Sequence, residues 1–237
     1  MERAAIPDHA DAADAADTAA DVPARRMPER HSVRAQVLGA LRAALVSGEL
    51  PPGSVHSAPA LGARYGVSAT PVREAMQILA REGAVEVLPN RGFRVTERTA
   101  RDLAELAEVR ALLEVPVVLR LARTVPSDRW AALRPLAEAT VNAAACGDRA
   151  AYAETDRAFH RAMLELSGNL QLVSVADELH RRAQWPLAPP HPLRPTRRAE
   201  LVADATEHAV LLDALVAGDV ATVESLVREH FSGSAWG

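Results

Sequence analysis

Lysine is absent from the 237 residues, so all 27 basic side chains are arginine. Alongside abundant alanine, this reads as a compositional bias of the coding sequence and carries no chemistry of its own. Cysteine is almost absent too, because Cys146 stands alone and an internal disulfide is excluded. No apolar run approaches the roughly 20 residues that a membrane-spanning helix requires. The N-terminus lacks the basic start and apolar middle of a secretion signal. Together these absences predict a cytoplasmic protein without a membrane partner. Asp8, Asp11, Asp14, Asp17 and Asp21, spaced among alanines, predict a disordered tail over residues 1–30. An overall basic excess is also missing: 27 basic against 31 acidic residues leave a net charge of −4. No global field attracts nucleic acid, so any DNA binding must be local.

What is present is enough apolar material for more than one core, with 49% hydrophobic residues in a chain longer than one small domain. Residues 31–98 carry 8 arginines and 5 acidic residues, whereas residues 99–237 carry 15 and 19, so the basic excess falls on one segment. Within it, Val33, Val37, Leu41, Ala44 and Leu45 share one helical face. Two prolines and two glycines in residues 47–53 then end that helix. A short helix is expected over Pro59 to Tyr65, and a third from Pro71 to Arg81 buries Val72, Ala75, Met76 and Leu79 while Arg73, Glu74 and Gln77 point outward. Apolar-rich segments 84–88 and 92–96 flank a Pro89-Asn90-Arg91 turn. Three helices and a hairpin over residues 31–98 describe a winged helix-turn-helix. From Ala100 the period is helical throughout, with about six helices in 101–232, Ser127 and Asp148 placed as N-caps, and Pro116 expected to kink or break the first. The fold class is therefore mainly α, a DNA-binding domain (31–98) followed by an all-helical effector-binding and dimerisation domain (99–237).

In a helix-turn-helix the second helix presents its N-terminal residues to the major groove. Here those are Ser68, Ala69, Thr70, Pro71 and Arg73. Small hydroxyls and backbone N–H groups can approach phosphates, and a guanidinium can hold guanine by two hydrogen bonds. Arg91 and Arg94, assigned to the hairpin tip, are candidates for contacts to phosphate or the minor groove, and Gly92 is a further DNA-binding candidate. An isolated arginine is more often a solvated surface residue, so context must decide. The string LGARYGVSATPVREAMQILAREGAVEVLPNRGFRV, with SGELPPG before it, closely resembles the GntR family of winged-helix regulators. Ala69 stands where that family usually has a base-reading arginine, and Ala58 near a usual acidic residue, which implies a different operator preference.

Asp156 and His160 are four apart, so on a helix they project from one face. His208 lies 10 residues before Gly218 and His230 lies 12 after it, so an antiparallel helix hairpin brings the two side by side. One carboxylate and three imidazoles suit a divalent ion, zinc first, with nickel, manganese or iron as alternatives. Each histidine taken singly is more often a hydrogen-bonded or surface residue. The strings EVRALLEV, DRAFHRAMLELSGN and EHAVLLDALVAGDVATVESLVREHF resemble the FadR-type effector domain. That resemblance implies that Asp156, His160, His208 and His230 hold the ion. It also implies an effector contact at Arg110, whose bland alternative is an i,i+4 pair with Glu114; Asn169 is a second candidate. The stretch 186–195 is proline-rich and departs from the family pattern, as a lid or an exposed loop that includes His191. Trp185 is either core or pocket wall.

The resulting expectation is a DNA-binding regulator, in the first instance a repressor. It would bind an inverted-repeat operator as a homodimer and respond to a small molecule, a carboxylate for preference, near the metal. A metalloenzyme is the alternative from a different class, but no positioned base is evident and a DNA-binding domain would then lack purpose. A third reading makes the helical part a dimerisation module with a structural ion.

Overall fold

The computed structural model of the chain describes residues 33–188 and 198–233. The expected tail over 1–30, His191 and most of the proline-rich stretch lie outside the described residues.

The first part runs α1 (Val33–Ser47), β1 (Val55–His56), α2 (Ala58–Tyr65), α3 (Ala69–Arg81), β2 (Val85–Leu88) and β3 (Gly92–Val95). α1 buries Val37, Leu41, Ala44 and Leu45, four of the five residues of the expected stripe, while Val33 at the first turn is 52% exposed. Ser57 caps α2 by accepting from the Ala60 N–H, with Pro59 in the first turn where its missing donor costs nothing. α3 buries Val72, Ala75, Met76 and Leu79 against α1 and α2. β2 and β3 pair antiparallel, and β1 adds to the other edge of β3, giving the order β1-β3-β2. β1 was not expected, because two residues are too few to show a period.

Gly92 is what lets this sheet close. Its φ of +112° is unfavourable for any side chain, and a Cβ there would stand 2.3 Å from the His56 carbonyl oxygen. Arg91 occupies the hairpin turn, but Arg94 lies within β3 opposite Val55 on one side and Glu86 on the other. The hairpin tip therefore carries Arg91 and not Arg94.

Seven helices follow among the described residues: α4 (Ala100–Thr124), α5 (Ser127–Ala131), α6 (Arg134–Cys146), α7 (Arg149–Glu165), α8 (Leu170–Ala183), α9 (Arg198–Ala217) and α10 (Val220–Gly233). α4 opens on a reciprocal cap in which Thr99 accepts from the Asp102 N–H and Asp102 accepts from the Thr99 N–H. Pro116 sits inside α4 without breaking it. α5 is the element beyond the expected six, and Pro126, not Ser127, occupies its N-cap position. Asp148 does cap α7, accepting from the Ala151 N–H at 3.0 Å. Val118, Leu121, Trp130, Phe159, Leu212 and Val223 build the main helical core, and a second core fills the winged helix. α4, α7, α8, α9 and α10 surround one polar cluster.

Candidate metal centre and nucleic-acid interface

Three of these helices supply the four candidate donors. α7 presents Asp156 and His160 one turn apart, both buried. Gly218, in the left-handed region at φ +71°, turns the chain from α9 into α10, and the ring centroids of His208 and His230 come to 5.7 Å. The Oδ1 atom of Asp156 stands 3.3 Å from Nε2 of His208 and 3.7 Å from Nε2 of His160. One donor atom from each of His160, His208 and His230 falls within a 4.8 Å cluster. Donors around a tetrahedral ion with bonds near 2.05 Å stand about 3.3 Å apart, close to the separations of Asp156 from His208 and His160.

The cluster passes a chemical test as well as a geometric one. Both ring nitrogens of His160 and both of His208 are buried without a hydrogen-bond partner. An unsatisfied buried donor or acceptor costs roughly 1–3 kcal/mol, and a divalent ion would give the lone pairs their partner. Burial holds His160 down at about 3 and His208 at about 4, so both are neutral imidazoles able to donate a lone pair. Burial alone would raise Asp156, but the surrounding imidazoles, His180 first, hold it well below the usual carboxylate range. Glu207 on α9 lies 3.3 Å from Nδ1 of His230, an outer partner that orients the ring.

Sequence reasoning missed His180 on α8. Its side chain is buried, and its two nitrogens have distinct partners: Arg110 lies 2.9 Å from Nδ1, and Oδ2 of Asp156 lies 2.7 Å from Nε2. A guanidinium can only donate, so Nδ1 accepts and the proton resides on Nε2, which donates to Asp156. Asp156, His160 and His180 also form a donor cluster of their own, yet both nitrogens of His180 are already engaged. Its signal in the sequence was position, since His180 continues the buried stripe of Val173 and Ala176 on α8.

Arg110 sits behind this cluster. It is 6% exposed, donates from Nε to Glu114 Oε1 at 2.9 Å, and lies 5.1 Å from the centre of the Phe231 ring. The i,i+4 pair with Glu114 is therefore formed, though in the interior instead of at the surface. Burial would raise the Glu114 carboxyl, but Arg110 and His160 together bring it down to about 2. Its Oε2 has no hydrogen-bond partner. Asn169 is exposed and caps α8, accepting from the Leu172 N–H at 3.1 Å. A cavity of about 70 Å³ opens beside His160, His208 and His230, lined also by Glu114, Leu211 and Val227. Arg110 and Asn169 do not line it.

In the winged helix, Ser68, Thr70 and Arg73 are exposed at the start of α3, together with Glu74 and Gln77, and Pro71 is half-buried. Ser68 occupies the N-cap position without spending its hydroxyl on a capping bond. Arg91 is exposed in the turn; Arg94 and Gly92 are half-buried in β3. The described face thus offers hydroxyls, a helix N-terminus and guanidinium groups at two levels, a surface suited to phosphates and base edges.

Residues 33–95 match the bacterial regulatory proteins of the gntR family, and residues 105–233 match the FCD domain. The chain is 30% identical over 201 residues to the "Probable D-xylose utilization operon transcriptional repressor" of Paenarthrobacter nicotinovorans, covering 85% of this chain and 86% of that protein. The "Gluconate operon transcriptional repressor" of Bacillus subtilis (strain 168) is 40% identical over 83 residues, 35% of this chain and 34% of that protein. The solved structure of E. coli McbR/YncC superposes with a TM-score of 0.68 at 29% identity, covering 85% of this chain and 94% of that one. Among the described residues no helix is long and apolar enough to cross a membrane. With the winged helix, the helical domain and the relatives in agreement, the chain belongs to the gntR family of bacterial regulatory proteins, as a transcriptional regulator that joins a DNA-binding domain to an FCD domain.

Proposed function

We propose that the protein is a cytoplasmic, homodimeric repressor that releases an inverted-repeat operator when a small carboxylate binds beside a metal ion in the FCD domain. The observation that carries the reading is the clustering of His160, His208 and His230 beside a cavity, with Oδ1 of Asp156 at 3.3 Å from His208 and 3.7 Å from His160 and four imidazole nitrogens unpartnered. A divalent ion, zinc first, supplies positive charge there and a coordination position open to an oxygen donor. Asp156 and the three imidazoles hold it, Glu207 orients His230, and Leu211 and Val227 keep the cavity wall apolar. Arg110 is already bonded to Glu114 and His180, so the charge that a carboxylate meets is that of the ion and not of the guanidinium. At the DNA, Arg73 and the start of α3 enter the major groove and Arg91 reaches the backbone. A two-fold dimer presents two such helices, hence the inverted repeat.

The test is metal analysis of protein purified without chelator, paired with release of DNA. The DNA is a fragment selected by the protein from a random pool, and small carboxylates are the ligands applied. Alanine at each of the four ligand positions is expected to lower metal content and to leave the protein on DNA when the carboxylate is added, whereas His56→Ala behaves as wild type. Wild-type protein that carries no metal and gains no thermal stability from added zinc overturns the reading.

A further inference from the structure

The geometry points to α8 as a strut that ties the metal set to the DNA-binding domain, with His180 as the positioning residue of Asp156; this rests on the metal reading above. Within six residues the chain changes partners. His180 donates to Oδ2 of Asp156 at 2.7 Å, and Gln184 donates to the same oxygen at 3.2 Å. Those two bonds hold the outer oxygen of the carboxylate and leave Oδ1 turned toward His160 and His208. Between them Arg181 faces the other way. It donates to Oε1 of Glu82 at 2.8 Å, and Glu82 is the C-cap residue of α3, the helix that presents Arg73. Glu82 also takes Arg42 of α1, so one carboxylate fastens α1, α3 and α8 together.

The second residue beyond α8 completes the attachment. Trp185 is 5% exposed and belongs to the winged-helix core of Val37, Leu41, Leu45, Met76 and Leu79, not to the helical core of its own domain. Ala188 then donates its N–H to the Arg98 carbonyl at 2.8 Å. Trp185 contributes a large buried apolar surface, and the partly buried Arg181–Glu82 pair fixes the register of α8 against α3. A carboxylate clamped by His180 and Gln184 cannot rotate toward an ion without carrying the end of α8 with it, because a helix moves as a rigid element. α7 also packs against α1, so the strut shares the coupling with a direct helix contact.

Hydrogen exchange of the full-length protein with zinc ion alone as the probe, alongside measured zinc content, tests this. In wild type, saturating zinc is expected to slow exchange in α1 and α3 by about fivefold. In the Arg181→Ala/Trp185→Phe double variant the slowing falls to about twofold or less while zinc stays stoichiometric; Glu82→Gln serves if the double variant does not fold. His180→Leu is expected to weaken zinc binding by about tenfold, and His180→Gln, which keeps a donor and an acceptor, to restore most of it. Bound zinc with unchanged exchange in α1 and α3, full slowing in the uncoupled variant, or wild-type zinc affinity in His180→Leu overturns the strut alone. A wild-type protein that binds no zinc overturns the metal reading and the strut with it.

Discussion

Oδ1 of Asp156 on α7 faces Nε2 of His208 on α9 at 3.3 Å, and that nitrogen is buried without a hydrogen-bond partner. On the metal reading, Asp156→Ala is expected to remove the stability that a bound ion would contribute. At a metal concentration a hundred times the Kd that contribution is about 2.7 kcal/mol. In a chain of this size it corresponds to a fall in Tm of roughly 5–10 °C. The difference between wild type and variant should vanish in excess chelator, and a difference that persists there assigns the loss to packing.

Arg73→Ala should weaken binding to a selected DNA site by about tenfold or more, since a lost bidentate or charged contact is worth roughly 1–3 kcal/mol. Thermal melts should be unchanged, because Arg73 is exposed. Arg91→Ala should instead weaken binding on every sequence alike and reduce the salt slope by about one. Titrations at several salt concentrations separate the two.

Gly92→Ala should lower stability by about 2 kcal/mol, as a Cβ at 2.3 Å from the His56 carbonyl forces β1 away from β3. Gly218 has a similar left-handed backbone but nothing within 4 Å of a Cβ, so Gly218→Asn should cost less than about 1 kcal/mol. Urea unfolding of both variants measures the contrast, and equal losses would place the cost in the backbone alone.

Arg110→Leu strands Glu114, whose carboxylate is 1% exposed, and is expected to cost about 3–5 kcal/mol. The Arg110→Leu/Glu114→Leu double variant should recover much of that loss, because no charge is left buried without a partner. A double-mutant cycle in urea gives the coupling, and additive losses would show that the pair does not act as one.

Much of this architecture was legible from periodicity and punctuation. The stripes Val37-Leu41-Ala44-Leu45 and Val72-Ala75-Met76-Leu79 give α1 and α3 their buried faces. The spacing of His208 and His230 about Gly218 anticipated their meeting, because a helix hairpin is symmetric about its turn. Pairings between distant segments were not legible. The two residues of β1 show no alternation, and Arg94 went to the hairpin tip because nothing local marks the middle of a three-stranded sheet. Arg110 and Glu114 had the right spacing for a pair, but their burial depends on α8 and α10 closing over α4. His180 was readable in principle as a polar residue on an apolar stripe, though its bond to Asp156 crosses between helices.

Trp185 bears on how such regulators exchange their parts. The indole that helps to fill the winged helix comes from beyond α8, far along the chain from residues 33–95. A graft that transplants only those residues onto another helical domain leaves a hole the size of a tryptophan in the transferred piece. It also leaves an exposed indole on the scaffold from which the piece was cut. The two segments are separable by sequence comparison but not by scissors, and a working chimaera must carry the tryptophan with the domain whose interior it completes.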